Sequence, residues 1–245
     1  MTLPKYTKIK SKKDIVKIFP KDFLPIFKKD KIIQLYFYGI KKSENSHNDN
    51  FPKLMRFFSM MQIVSHVLKN SRVYDFVECG CWKGHSSYLI SKLIFDSKKK
   101  VSFHIFDSFE GLSKSTIEDS LYHRKSPNDK KRISNFFRSN ENFVKNHVLK
   151  SFNFVKTYKG WIPSRFYEVK NKKFSFIHID VDLYKPTIES LNFFYPRVVD
   201  GGVIVCDDYN VTGFPGAKKA WDDFFRNKKI KFFFQNPLGG CFIIK

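Results

Sequence analysis

No stretch of this chain holds the roughly 18 consecutive apolar residues that a membrane-spanning helix requires, although hydrophobic residues make up 42% of it. The first residues, Met1 to Lys13, are basic. They lack the apolar run and small-residue cleavage site of a secretion signal. A soluble, cytoplasmic protein without a transmembrane segment is therefore expected. Cysteine is scarce too, with four in 245 residues. Cys79 and Cys81 stand one residue short of the usual zinc spacing, and no His/Cys pair accompanies them, so a zinc site is disfavoured. Buried free thiols in a reducing compartment are the plain reading of all four, Cys206 and Cys241 included.

Acidic residues are outnumbered, 23 against 45 Lys and Arg, which leaves a net charge of +22. Strong basicity often marks a nucleic-acid partner. Here the lysines run along the whole length, beside abundant Phe, Ile and Asn, a joint enrichment that AT-rich coding also produces. Nucleic-acid binding is permitted but not favoured. The dinucleotide signature G-x-G-x-x-G and the D/N-P-P-Y type amine site are both missing.

Because acids are few, their placement is informative. Phe176 to Ile179 is apolar and runs into Asp180-Val181-Asp182-Leu183-Tyr184. Read as one strand, this stretch places Asp180 and Asp182 on the same face. Gly202 to Cys206 is a second apolar strand and closes on Asp207-Asp208-Tyr209. Strands that end in paired carboxylates point to a site at the carboxyl edge of an open α/β sheet. Clustered carboxylates repel one another unless a cation sits between them, and oxygen-only ligands suit a hard ion such as Mg²⁺. Asp207 and Asp208 can share one ion only if the strand breaks into a turn there.

Upstream, Tyr74 to Gly80 reads as a strand, followed by a turn bearing Gly80 and Gly84 and a helix to about Phe95. This is the layout of a nucleotide-type cofactor pocket. Gly80 and Gly84 would admit a ligand close to the backbone, and Ser86 or Ser87 would cap the helix. The next strand, Val101 to Phe106, ends in Asp107, which suits ribose hydroxyls or a turn equally. Phe152 to Tyr158 supplies a third strand. Ser113 to about Asn142 is polar and long enough for a lid or substrate loop. Pro186 opens a helix, and Ile230–Phe234 with Cys241–Ile244 makes a terminal hairpin. The pattern predicts a doubly wound α/β sheet with an antiparallel edge. Residues 1–50 form an accessory segment and linker ahead of a domain over 51–245.

Several of these segments, in order, resemble the macrocin-type O-methyltransferases, the TylF/MycF group. They are Phe76-Val77-Glu78-Cys79-Gly80-Cys81-Trp82-Lys83-Gly84, Phe106-Asp107-Ser108-Phe109-Glu110-Gly111-Leu112, Lys159-Gly160-Trp161, Asp180 to Tyr184 with Pro186-Thr187, and Asp207-Asp208-Tyr209. The resemblance implies a class I S-adenosyl-L-methionine (SAM) fold of seven strands with the last antiparallel, and Mg²⁺-dependent methylation of a sugar hydroxyl. It implies that Glu78, Gly80, Gly84, Ser86 and Asp107 serve the cofactor and that Ser108 and Phe109 border the adenine. It implies Asp180, Asp207 and Asp208 as metal ligands and Asp182 as general base. His85 stands where a second glycine is common, and neither residues 1–50 nor 113–142 match. Those are the parts that would choose the acceptor, a small-molecule or glycan hydroxyl. RNA methylation and a catalytically silent partner role are the alternatives; a homo-oligomer is compatible with either.

Overall fold

A computed structural model describes residues 30–44, 50–70 and 72–245. Residues 1–29 and 45–49, to which much of the accessory segment and linker belong, lie outside the described residues. Helix α1 (Lys31–Lys42) starts where Asp30 accepts the N–H groups of Ile32 and Ile33. It continues through the start of the predicted linker. Helix α2 (Phe51–Lys69) is capped by Asn50, and Pro52 in its first turn gives up a donor that has no partner there anyway.

The strands are β1 (Asp75–Cys79), β2 (Phe103–Asp107), β3 (Val155–Lys159), β4 (Phe174–Ile179), β5 (Val198–Cys206), β6 (Phe232–Gln235) and β7 (Cys241–Ile244). Helix α3 (His85–Ser97) follows β1, α4 (Pro127–Phe136) lies within the polar insert after β2, and α5 (Tyr184–Phe194) and α6 (Pro215–Phe225) follow β4 and β5. They form one seven-stranded sheet in the order β3-β2-β1-β4-β5-β7-β6. β7 runs antiparallel to both β5 and β6, as the sequence predicts.

Side-chain alternation sorts the core into two layers. Phe76, Phe103, Ile105, Phe176 and Val203 face α1, α2 and α3, while Val77, Ile177, Ile179 and Ile204 face Leu191, Phe194 and Trp221 of α5 and α6. The register shift between Phe174 and Phe176 lets Phe174 enter the second layer although Phe176 enters the first. Helix α1 belongs to the first layer through Ile33, Tyr36 and Ile40. His85 explains its own departure from the family pattern. It is buried, its Nε2 lies 3.0 Å from the Tyr36 carbonyl, and it thereby joins α1 to the start of α3.

Strand order reverses between β1 and β4, and such a switch point opens a crevice at the carboxyl ends of the two strands. Of the candidate site residues, Gly80, Asp107, Ser108, Asp180 and Asp182 line that crevice. Two expectations change here. Strand β4 stops at Ile179, so Asp180 and Asp182 are not neighbours on a pleat; both lie in the loop to α5. Strand β5 starts at Val198, upstream of Gly202.

Candidate active site

The glycine turn after β1 is held by an acid. One Asp107 oxygen accepts the N–H groups of Cys81 (2.7 Å) and Trp82 (3.0 Å), and the other accepts that of Phe109 (2.7 Å). Burial raises the Asp107 pKa, and these N–H groups work against that rise. Asp107 thus shapes both loops that frame the crevice, and a carboxylate with about four lone-pair sites keeps acceptor capacity for a ribose hydroxyl. Gly80 is required by its own chain. With φ at +83°, a Cβ there would lie 1.8 Å from the Asp180 carbonyl, so the close approach is between β1 and β4. Gly84, φ +80°, faces Val144 and Val148 instead of a ligand, and it is the N-cap of α3 with no side-chain cap. The cap expected of Ser86 or Ser87 is therefore not made, because both lie inside the helix and are buried.

Glu78 also departs from its expected place. It is fully buried, accepts from Ser87 Oγ, and pairs with His178 Nδ1 at 3.0 Å. Burial opposes a charge on His178, but the bond to Glu78 outweighs it and its pKa rises. Of the expected cofactor residues, Gly80, Asp107 and Ser108 line the crevice, with Trp82, Phe137 and Trp161 as aromatic walls. Glu78, Gly84, Ser86 and Phe109 are not part of that lining. Phe109 is buried with φ +59° and offers its N–H to Asp107.

The four acids meet beyond the switch point. Asp180, Asp207 and Asp208 each present one carboxylate oxygen, all within 4.8 Å of one another. Asp207 and Asp208 achieve this because β5 ends at Cys206 and the chain turns. Burial raises the pKa of Asp180 well above its usual value, and the charges of Asp207 and Asp208 add to the rise. Asp208 is pushed up to about 6 by burial and Asp207. An all-oxygen set of carboxylates that holds its charge only reluctantly suits a hard divalent cation.

Asp182 stands at the centre of a three-residue turn closed by the Leu183 N–H on the Val181 carbonyl at 2.6 Å. Its φ of +61° is rare for a non-glycine residue and costs conformational energy. The turn is clamped on both sides. The Asp182 N–H donates to Asp208 Oδ2 at 2.7 Å, and the Tyr184 N–H donates to Asp119 Oδ1 at 2.7 Å. Burial, then Asp208 and Asp207, raise the Asp182 pKa well above the usual carboxylate range.

Two further residues take part that the sequence reading did not single out. Arg56, on α2, donates from Nε to Asp207 Oδ2 at 2.9 Å; its signal was a lone positive charge in the apolar stretch from Leu54 to Ser65. Burial lowers the Arg56 pKa, but the three cluster acids outweigh it. Asp119, fully buried, anchors the insert between β2 and β3 to the start of α5. Gly216 leaves it room, because a Cβ there would lie 1.9 Å from Asp119 Oδ1. A larger hollow of about 720 Å³ lies at the outer edge of β3, among Lys145, Lys150 and Lys156. It is remote from the acids.

This architecture is that of the SAM methyltransferase fold. Over 84% of this chain and 87% of the other, it superimposes on the structure of the O-methyltransferase NovP with a TM-score of 0.64 at 21% identity. The calicheamicin methyltransferase CalS11 gives 0.59 at 16% identity, over 86% and 91% of the two chains. Residues 54–236 match the family Macrocin-O-methyltransferase (TylF), and the chain belongs to that family. It is 25% identical over 177 residues to a demethyldecarbamoylnovobiocin O-methyltransferase of Streptomyces niveus, covering 70% of this chain and 65% of that one. It is also 25% identical over 164 residues to an 8-demethyl-8-(2,3-dimethoxy-alpha-L-rhamnosyl)-tetracenomycin-C 4'-O-methyltransferase of Streptomyces olivaceus. That match covers 64% of this chain and 61% of the relative. The chain thus spans less than two thirds of the length of either relative.

Proposed function

We propose that this chain transfers a methyl group from SAM to a hydroxyl of a sugar or glycosylated metabolite, with Mg²⁺ held by Asp180, Asp207 and Asp208. The observation that carries the reading is the three-acid cluster, within 4.8 Å, at the mouth of a cofactor crevice that Asp182 also lines. Both curated relatives are named as O-methyltransferases, and the name of one specifies a rhamnosyl group in its substrate.

SAM supplies a methyl group on a sulfonium, and a bound divalent cation supplies Lewis acidity that makes an alcohol more acidic. The remaining roles belong to the chain. Asp182 takes the hydroxyl proton on its carboxylate, and its raised pKa makes it a stronger base than an ordinary carboxylate. Asp107 and the turn it organises receive the nucleoside part of the cofactor. Trp82, Phe137 and Trp161 exclude water from the reacting centre. Arg56 fixes the orientation of Asp207 and offsets part of the repulsion in the cluster.

Methyl-labelled SAM incubated with nucleotide-linked rhamnose and a panel of rhamnosides, with and without EDTA, tests the reading. Label should enter the sugar, stop with EDTA, and return with Mg²⁺. Label entering RNA in place of any sugar would overturn the acceptor class, and full transfer in EDTA would overturn the metal.

A further inference from the structure

The two edges of the sheet are treated differently. At the β3 edge the exposed Lys156 and Lys159 stand guard, and Arg165 covers the Lys159 carbonyl at 3.0 Å. Charged side chains and covered carbonyls are how sheet edges avoid unwanted pairing. At the other edge β6 reads Phe232-Phe233-Phe234-Gln235, and its three phenyl side chains are 46%, 40% and 42% exposed. Among the described residues no strand lies beyond it.

The main-chain groups on that edge can be assigned. The Asn236 N–H donates to the Gly240 carbonyl at 2.9 Å, and the register pairs Phe234 with Phe242 and Phe232 with Ile244. Hydrogen-bonded pairs alternate along an antiparallel ladder, so Phe232 and Phe234 turn their N–H and C=O groups to β7. Phe233 and Gln235, with Lys231 just before the strand, turn theirs outward. On one face Phe232 and Phe234 flank Phe242, with ring centroids at 5.8 and 5.4 Å. On the other, Phe233 sits 5.8 Å from the Tyr209 ring.

We propose that β6 is where two copies of this chain associate, pairing antiparallel about a twofold axis at Phe233 so that the two sheets become continuous. This edge is self-complementary in that register. Phe233 faces its partner's Phe233 and they exchange both main-chain bonds. Phe232 stands across from the partner's Phe234, an aromatic cross-strand pair. Lys231 falls opposite the partner's Gln235, so the lysines are kept apart. That matters in a chain of net charge +22, where most faces repel a second copy. Among twofold axes through an outward-facing residue the alternatives are worse. An axis at Lys231 sets like charges against each other, and one at Gln235 puts Pro237, which has no N–H, across from Phe233. The contact is small, so the dimer should be concentration-dependent.

Sedimentation velocity and light scattering on the full chain, from low to hundreds of micromolar, test this. The wild-type chain should pass from monomer to dimer and go no further. Phe233→Pro removes an outward-facing N–H together with the phenyl group beside Tyr209, and should be folded but monomeric at every concentration, with a melting temperature below that of the parent. Should that variant fold poorly, the register is read from Gln235. Gln235→Lys faces Lys231 of the other copy and should weaken the dimer, whereas Gln235→Glu should tighten it by about two- to threefold, since Lys231 is already shared with Asp200 of its own chain. A wild-type chain that stays monomeric, a dimer indifferent to Phe233→Pro, or Lys and Glu variants with equal affinity would each overturn the proposal. A monomer whose β6 amides resist hydrogen exchange would overturn it too, since another segment would then cover the edge.

Discussion

The main-chain N–H of Asp182 donates to the carboxylate of Asp208 at 2.7 Å. One acid of the cluster thus holds the strained turn that presents the proposed base. Asp208→Asn should therefore lose more than Asp180→Asn, because it loosens that turn as well as weakening the cluster. Hydrogen exchange over 180–186 should rise in Asp208→Asn and stay near wild type in Asp180→Asn; equal exchange would separate turn from cluster.

Asp182→Asn is expected to keep cofactor and metal affinity and lose roughly 10²–10⁴-fold in kcat, the range for a general base. Calorimetry with S-adenosylhomocysteine and Mg²⁺, beside turnover on the sugar acceptor, separates the two effects. Near-normal turnover would remove Asp182 from the proton-transfer role.

Stability should depend on pH and metal together. Asp180, Asp182 and Asp208 all have raised pKa values, Asp208 to about 6. A raised carboxylate pKa means the folded chain holds more protons than the unfolded one. The stabilisation is complete below the ordinary carboxylate pKa, about 4, and is lost as pH rises through the folded values. In EDTA the melting temperature should fall from pH 5 to pH 7 and beyond. Mg²⁺ should raise it more at pH 7.5 than at pH 5, since protons and metal compete for the same oxygens. A Mg²⁺ effect independent of pH would contradict the cluster's electrostatics.

Glu78→Gln should damage stability more than binding. It breaks a buried pair with His178, a loss of about 3–5 kcal/mol where one partner is left unpaired. SAM affinity of the folded fraction should stay within about threefold. A large affinity loss at unchanged melting temperature would return Glu78 to the cofactor.

Asp119 and Gly216 should behave as one unit. Asp119→Ala leaves the part-buried Tyr184 and Thr116 N–H groups without their acceptor, at a cost of about 1 kcal/mol. Gly216→Ala expels the same carboxylate without altering it. Both should speed hydrogen exchange across 113–142 and 180–186. If Gly216→Ala leaves exchange unchanged, Asp119 is not the tether.

Much of this was legible from residue order. Apolar runs ending in Asp180, Asp207 and Asp208 mark the strands and the carboxyl edge of the sheet, because a buried parallel strand must be apolar and its end must turn. Asp182 lines the crevice, but not by the expected route. A face shared with Asp180 was expected, but the strand stops at Ile179 and a left-handed residue re-aims the side chain. Local pattern does not reveal such a turn, since the groups holding it come from Asp208 and Asp119, far along the chain. The buried pairing of Glu78 is hidden from local pattern for the same reason. Its partner His178 is 100 residues away, and only strand pairing brings them together. Ser113 to Asn142 read as irregular because its helix α4 buries no residue, leaving no apolar stripe to detect.

The central claim is that Asp180, Asp207 and Asp208 form one divalent-cation site. Titration of Mg²⁺ into the chain saturated with S-adenosylhomocysteine, followed by calorimetry, addresses it directly. A single site per chain is predicted, weakened at least tenfold by Asp180→Asn, Asp207→Asn or Asp208→Asn and left intact by Asp182→Asn. No saturable binding, or binding indifferent to all three substitutions, would contradict it.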